Sequence, residues 1–320
     1  MTAAPLLEVD RLGVRFGSVT AVSSVSFTVN VGEVFGVVGE SGAGKSATAK
    51  AIIGLLPSTA KVRGSVKYTG EELVGADRAT LRRVRGGGIG YVFQDALTAL
   101  DPVRRVGDQL VEAVPSRREI GRKAAAELAE SLLAEVQIKN PARCMQSYPH
   151  QLSGGMRQRV VIAAALIADP ELIIADEVTS ALDVTVQRRV LELLLNVCAD
   201  RGAAVMMITH DLGVVAQTCD RVAVLYGGIV AEQADVFDLF DAPRHPYTQA
   251  LMASMPHIGD DSPFVPIPGS AIQVVGELTA CPFAPRCNHT TDECRQSLPD
   301  ITNEGSRAVR CVHPLAEAVS

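Results

Sequence analysis

One stretch constrains this chain more than any other: Gly39-Glu40-Ser41-Gly42-Ala43-Gly44-Lys45-Ser46. It follows the apolar run Val34-Phe35-Gly36-Val37-Val38, short enough for a buried strand, and precedes Ala47 to Leu56, which reads as a helix. Strand, G-x-x-x-x-G-K-[ST], helix is the context of a phosphate-binding loop. The glycines let backbone wrap closely around an anion, and successive N–H groups at the helix start face it. Gly39, Ser41, Gly42, Gly44, Lys45, Ser46 and Ala47 are therefore candidate nucleotide contacts. Lys45 would reach the terminal phosphates, and Ser46 would be a Mg2+ ligand. A dinucleotide-binding G-x-G-x-x-[GA] also fits over Gly42, Gly44 and Ala47, but it leaves Lys45-Ser46 unexplained.

The 320 residues suffice for one large core or two smaller domains, and 47% hydrophobic content supplies the apolar surface. A net charge of −6 argues against nucleic acid as a partner. Met1–Gly17 has no signal-peptide pattern, and the longest apolar run, Val160–Ala168, suits a buried helix. Seven cysteines without a secretory signal point to thiols or metal ligands before disulfides.

Leu6–Asp10, Val14–Phe16, Val25–Val29 and Ser65–Tyr68 alternate or cluster like short strands of a small antiparallel sheet. Ile89–Phe93 is a further strand. Val106–Val114 and Ala124–Val136 have helical periodicity, so the section after Leu97 is mostly helical, over about 97–160. Leu172–Ala175 and Ala204–Ile208 read as strands around a helix at Val186–Ala199, and Gly227-Gly228 marks a hairpin. Strands alternating with helices predict an α/β fold with a mostly parallel sheet core. Beyond about Pro256 the composition shifts to proline and cysteine, which sets off 257–320 from 1–256.

A phosphate loop needs a metal-side carboxylate on a neighbouring strand. Leu172-Ile173-Ile174-Ala175-Asp176-Glu177 offers Asp176 for Mg2+ and Glu177 as general base for the attacking water. Leu152-Ser153-Gly154-Gly155-Met156, just before a helix, makes a second backbone anion site. One nucleotide does not need two such sites from one chain. The economical reading gives each Ser-Gly-Gly to the nucleotide of another chain, in a head-to-tail dimer.

These segments together resemble the ATP-binding subunits of ABC transporters over nearly the whole chain. By position, Gly39–Ser46 resembles the Walker A loop, Gln94 the Q-loop glutamine, and Leu152–Met156 the signature motif. Asp176-Glu177 resembles the end of Walker B, Ser180-Ala181-Leu182-Asp183 the D-loop, His210 the switch histidine, and Phe16 the aromatic that stacks on adenine. Val178 stands where the family usually has proline, a position that carries no chemistry. The resemblance implies an ABC-type ATPase with a mixed sheet core, an antiparallel β subdomain and a helical subdomain. It also implies ATP and Mg2+ as ligands, with Ser46, Gln94 and Asp176 on the metal and Asp183 beside the nucleotide. Lys45, Glu177 and His210 would be catalytic.

Arg244-His245-Pro246-Tyr247-Thr248-Gln249-Ala250-Leu251 and the end that follows resemble the C-terminal extension of oligopeptide and dipeptide importer ATPases. Cys281, Cys287, Cys294 and Cys311 are spaced C-x5-C-x6-C-x16-C. Four thiolates suit an iron–sulfur cluster or a four-cysteine zinc site, with reduced structural thiols as the third reading. Members of this subfamily carry a [4Fe–4S] cluster on such a tail, so the resemblance favours iron. It further implies a peripheral ATPase on the cytoplasmic face of the inner membrane. Its partners would be a second, related ATPase chain, two transmembrane permease subunits and, through them, a substrate-binding protein. Peptide is the implied cargo; nickel chelates or oligosaccharides are alternatives, as is a soluble ABC-type ATPase.

Overall fold

The computed structural model describes residues 4–115, 118–178, 183–254 and 266–316. Twelve strands follow one another among these residues: β1 (Leu7–Phe16), β2 (Val19–Val29), β3 (Val34–Val38), β4 (Ala60–Tyr68), β5 (Glu71–Glu72), β6 (Ile89–Val92), β7 (Leu172–Asp176), β8 (Ala204–Thr209), β9 (Arg221–Tyr226), β10 (Ile229–Asp235), β11 (Thr302–Glu304) and β12 (Arg307–Val309). The helices are α1 (Lys45–Ile52), α2 (Arg78–Arg85), α3 (Ala96–Ala99), α4 (Val106–Ala113), α5 (Arg122–Glu135), α6 (Pro141–Gln146), α7 (Gly154–Leu166), α8 (Val184–Asp200), α9 (Leu212–Thr218), α10 (Val236–Asp241), α11 (Pro246–Ala253) and α12 (Asp292–Gln296). The chain is α/β, and it divides into two compact units. Met1–Val29, Val34–Gly75 and Ile208–Ser320 form the first; Asn30–Glu33 and Ala76–Met207 form the second. The expected boundary near Pro256 lies outside the described residues.

In the first unit the strands run β5-β4-β1-β2-β10-β9-β3. β1 pairs antiparallel with both β2 and β4. It is one strand where the sequence suggested two, because Arg11 at φ 46 absorbs an irregularity without ending the ladder. β3 lies parallel to β9, and its apolar residues Phe35, Val37 and Val38 are fully buried. Gly227 and Gly228 turn β9 into β10 at φ 53 and 79. Gly228 also lies so close to β2 that a Cβ would meet the Ala21 carbonyl at 2.9 Å, and its own carbonyl accepts the Ser23 N–H at 2.7 Å.

The C-terminal residues join this unit through backbone. β12 pairs antiparallel with β10, Glu232 opposite Val309. Thr20 N–H donates to the Val274 carbonyl, and Gly276 N–H to that of Ser18, both at 2.9 Å. Glu232 is fully buried, and its carboxylate accepts the N–H groups of Arg244 and His245 at 2.8 and 2.9 Å, which fixes the entry to α11. Burial raises the Glu232 carboxyl above its usual range despite these bonds. His245 Nδ1 accepts the Tyr247 N–H and so caps α11; burial lowers the imidazole to about 4, which keeps it neutral. Phe283 is buried in edge contact with Tyr226 and Tyr247, centroids at 5.2 and 5.3 Å. Phe283→Ala is expected to cost about 3–5 kcal/mol, the usual loss for a buried phenyl ring. The check is the denaturation midpoint, and an unchanged midpoint would show that the C-terminal residues are not part of this core.

In the second unit β6 and β7 run parallel, Ile89 opposite Leu172 to Val92 opposite Ala175, with β8 next to β7. β7 is buried along its whole length, as its four apolar residues require. α2 and α7 pack on β6, α3, α4, α5 and α8 pack on α7, and α6 packs on α4 and α5; several of these helices begin on side-chain caps. Asp77, Asp95, Asn140, Ser153 and Asp183 each accept a first-turn N–H. α7 begins six residues earlier than its apolar run suggested, at Gly154, because Ser153 caps it.

Candidate nucleotide site

The first unit holds the phosphate loop between β3 and α1. Gly39, Gly42 and Gly44 have φ of 152, 83 and 99, a region side-chain-bearing residues avoid. Gly39 and Gly44 are further fixed by crowding. A Cβ on the first would lie 2.1 Å from the Leu225 carbonyl, and on the second 2.5 Å from that of Ala21. Lys45 is buried, and its ammonium donates to the carbonyls of Gly39 at 2.7 Å and Glu40 at 3.0 Å. The loop thus curls around its own cation, and α1 starts at Lys45 with no side-chain cap on its first turn. Such a turn presents N–H groups and the positive end of the helix to an anion. Ser46 and Ala47 follow in that turn, and Ser41 lies in the loop.

Phe16 is half-buried at the end of β1, opposite Val19 and Ala60. His210 is exposed, on the turn between β8 and α9. Its neighbours fix that turn: Asp211 N–H donates to Thr209 Oγ1 at 3.0 Å, and the Asp211 carboxylate caps α9 through the Val214 N–H.

The second unit carries the acidic pair. Asp176 ends β7 almost fully buried and accepts a hydrogen bond from the Tyr91 hydroxyl at 2.7 Å. Burial first, and then the Asp176 charge, push the Tyr91 phenol well above its usual range, so it stays a donor. Glu177 turns out of the strand at φ 46, and its Oε2 accepts from Gln94 Nε2 at 2.9 Å. A left-handed carboxylate-bearing residue at a strand end is the kind of local strain that functional sites keep. Ser153 is exposed, its hydroxyl accepting the Met156 N–H at 3.3 Å. Gly154 and Gly155 open α7, and a Cβ on Gly155 would meet Val186 at 3.0 Å. Asp183 caps α8 through the Val186 N–H at 3.0 Å. Ser180, Ala181 and Leu182 lie outside the described residues.

Gln94 and Glu177 are thus brought into contact within the second unit. Sequence reading did not find Tyr91, although a tyrosine amid the apolar residues of a strand needs a partner for its hydroxyl. It also missed the partners of Glu40: Tyr247 Oη accepts the Glu40 N–H at 2.9 Å, and Arg286 pairs with its carboxylate.

A family model described as ABC transporter matches residues 22–180, which include the loop, Gln94, Ser153 and the Asp176-Glu177 pair. A second, the oligopeptide/dipeptide transporter C-terminal region, matches residues 231–294. A probable peptide ABC transporter ATP-binding protein of Sinorhizobium fredii is 48% identical over 93% of this chain and 91% of its own length. The chain belongs to the ABC transporter ATP-binding proteins. Within that family it is 44% identical to the dipeptide transport ATP-binding protein of Bacillus subtilis, over 96% of this chain and 94% of that one. The oligopeptide transport ATP-binding protein of Mycobacterium tuberculosis is 49% identical over 93% of this chain, which spans 50% of that relative's length. Among solved structures, a dimeric post-hydrolysis ATP-binding cassette bound to ADP and Pi aligns with TM-score 0.62 and 26% identity, over 72% of this chain and 98% of that one. A cassette from Clostridium perfringens, part of an ABC transporter complex, aligns with TM-score 0.64 and 25% identity, over 74% and 91%.

Proposed function

We propose that this chain is the ATP-hydrolysing subunit of a peptide importer. The observation that carries the reading is the phosphate loop folded around Lys45 in a chain whose relatives, alike over most of their length, are named for peptide transport. We keep its division into a cassette, 1–256 with a helical part near 97–160, and an extension, 257–320. Gly39–Ala47 and Lys45 would hold the phosphates, Phe16 would stack on adenine, and His210 would face the γ-phosphate. Ser153, Gly154 and Gly155, with Asp183, would serve the nucleotide of a second, related ATPase chain. Oxygen donors suit Mg2+, and Ser46, Gln94 and Asp176 are the residues that would hold it. When bound, the ion neutralises charge building on the phosphate oxygens. The chain's own share is to orient water at Glu177 and to place the Lys45 ammonium and His210 at the phosphoryl group. Lys45→Ala is expected to abolish nucleotide binding, read by titration with a fluorescent ATP analogue; binding at wild-type strength would move the site elsewhere.

Among the described residues no helix is long and apolar enough to cross a membrane. Between Phe93 and Val103 three large apolar side chains are exposed, Phe93 38%, Leu97 57% and Val103 80% accessible. We take this stretch as the seat of the transmembrane permease subunits, on the cytoplasmic side of the inner membrane, with a peptide-binding protein beyond them. The deciding experiment is affinity purification of the chain from its own membranes in mild detergent. Two polytopic proteins, a second ATPase and a peptide-binding protein support the reading. Recovery without membrane partners overturns it.

We extend the proposal to a [4Fe–4S] cluster on the extension. Cys281, Cys287, Cys294 and Cys311 line one cavity. Two of the sulfurs meet hydrogen-bonding groups: Cys287 accepts from the His289 N–H at 3.3 Å, and Thr291 Oγ1 lies 3.5 Å from Cys294. Burial raises Cys281 and Cys287 and pushes Cys311 up to about 11, so a bound cation is what would ionise these three at neutral pH. No group of three or more His, Cys, Asp or Glu among the described residues is placed to hold a single metal ion. The cluster therefore rests on the resemblance of the extension and on the shared cavity, with a four-cysteine zinc site as the alternative. Anaerobically purified protein should contain iron and acid-labile sulfide. Zinc alone, or no metal, would overturn this extension.

A further inference from the structure

We propose that Arg286 is a positioning residue for the phosphate loop: by holding and neutralising Glu40 it makes nucleotide binding depend on the cysteine-bearing extension. The proposal rests on the reading that Gly39–Ser46 receives the phosphates. A carboxylate in the second position of such a loop is at odds with an anionic ligand, since like charges repel over the short distances of a binding site. The structure answers the conflict with one guanidinium. Arg286 Nη1 donates to Glu40 Oε2 at 2.6 Å and Nη2 to Oε1 at 3.0 Å, a two-pronged pair. The same guanidinium donates to Tyr226 Oη at 3.1 Å and to the carbonyls of Pro268 and Ile267 at 2.6 and 3.3 Å. Its side chain is only 7% exposed, so solvent and salt screen the pair far less than a surface ion pair.

Every polar group of Glu40 is engaged in this way. The carboxylate goes to Arg286, the N–H to Tyr247 Oη at 2.9 Å, and the carbonyl to the Lys45 ammonium at 3.0 Å. Lys45 is the loop's own phosphate-binding candidate, so Glu40 joins the extension to the functional cation in one step. Arg286 sits one residue before Cys287 and three after Phe283, on the segment between Cys281 and Cys287. Phe283 packs on Tyr226 and Tyr247, the two tyrosines that bond Arg286 and Glu40. Whatever organises the four thiols therefore also seats the arginine.

The test is ATP affinity of the full chain, measured by titration calorimetry on Arg286→Ala, Arg286→Lys, and Arg286→Ala combined with Glu40→Gln. Arg286→Ala leaves a bare carboxylate in the loop, and affinity should fall about tenfold, the scale of one uncompensated charge near a bound anion. Adding Glu40→Gln removes that charge, and the double variant should bind about as much more tightly than Arg286→Ala. Arg286→Lys keeps the charge without the fork and should bind more tightly than Arg286→Ala. This rescue separates charge compensation from mere docking, because the double variant restores no contact. Unchanged affinity in Arg286→Ala, or a double variant as weak as the single one, overturns the proposal. If Arg286→Ala does not fold, Arg286→Lys against wild type still decides: weaker binding with a steeper salt dependence, because the looser pair is more open to screening, is the supporting result, and identical affinity and salt dependence is the refuting one. Lys45→Ala is the separate control: if it binds ATP normally, the phosphate-loop reading fails, whatever Arg286 does.

Discussion

Glu177→Gln is expected to bind ATP as tightly as the native chain and to lose turnover by about 10²- to 10⁴-fold, the share that a positioned general base contributes. The substitution is close to isosteric. The amide keeps an oxygen to accept the Gln94 hydrogen bond that Glu177 Oε2 now accepts at 2.9 Å. It keeps the left-handed backbone at φ 46 under the same strain, since both side chains branch alike beyond Cβ. What it loses is the ability to take a proton from water. Asp176, one residue earlier, does not substitute: it is almost fully buried at the strand end and bonded to the Tyr91 hydroxyl. The measurement pairs steady-state phosphate release with equilibrium binding. Hydrolysis within tenfold of wild type would assign the base elsewhere, and loss of binding would make Glu177 a structural residue.

The elements nearest this chemistry were the easiest to read from sequence, for a physical reason. A strand buried on both faces must be a short apolar run, and the polar residue at its end is then conspicuous; Val34–Val38 and Leu172–Asp176 both behave so. Glycine in the phosphate loop is legible because its backbone values admit little else. The helix starts were less legible. Apolar periodicity placed α7 from Val160, whereas the helix starts six residues before that on its Ser153 cap, so Ser-Gly-Gly belongs to the helix end itself. The network around Glu40 was not legible at all. Arg286 lies 246 residues from Glu40, and nothing local in either segment names the other. Long-range ion pairs depend on how strands are ordered, here on β12 joining β10 and bringing the extension beside β9 and the loop. Cysteine spacing suggested a shared site; the four cysteines do line one cavity, yet among the described residues they form no metal-holding group, and spacing alone carries no distances.

The second large effect concerns residues whose evident use within their own chain is to start a helix. Ser153, Gly154 and Gly155 present a helix N-terminus, with the serine exposed. The serine hydroxyl already serves α7, since it accepts the Met156 N–H. Ser153→Arg should therefore leave the fold standing, at a cost of about 1 kcal/mol for the lost cap. Its consequence should appear on another chain's nucleotide. The long cationic side chain would occupy the space that a partner's phosphates need, and dimer closure on ATP should fail. In the assembled complex, ATP hydrolysis is expected to fall to background while this chain's own loop, with Lys45 intact, still binds ATP. Nucleotide-induced dimerisation, followed by sedimentation in a Glu177→Gln background that cannot hydrolyse its ATP, should be lost as well. Binding and turnover failing together would place Ser153 in its own chain's site. Unchanged dimerisation would remove the head-to-tail interface and force a single chain to complete each nucleotide site, which would leave the Ser-Gly-Gly turn of α7 as a helix start and nothing more.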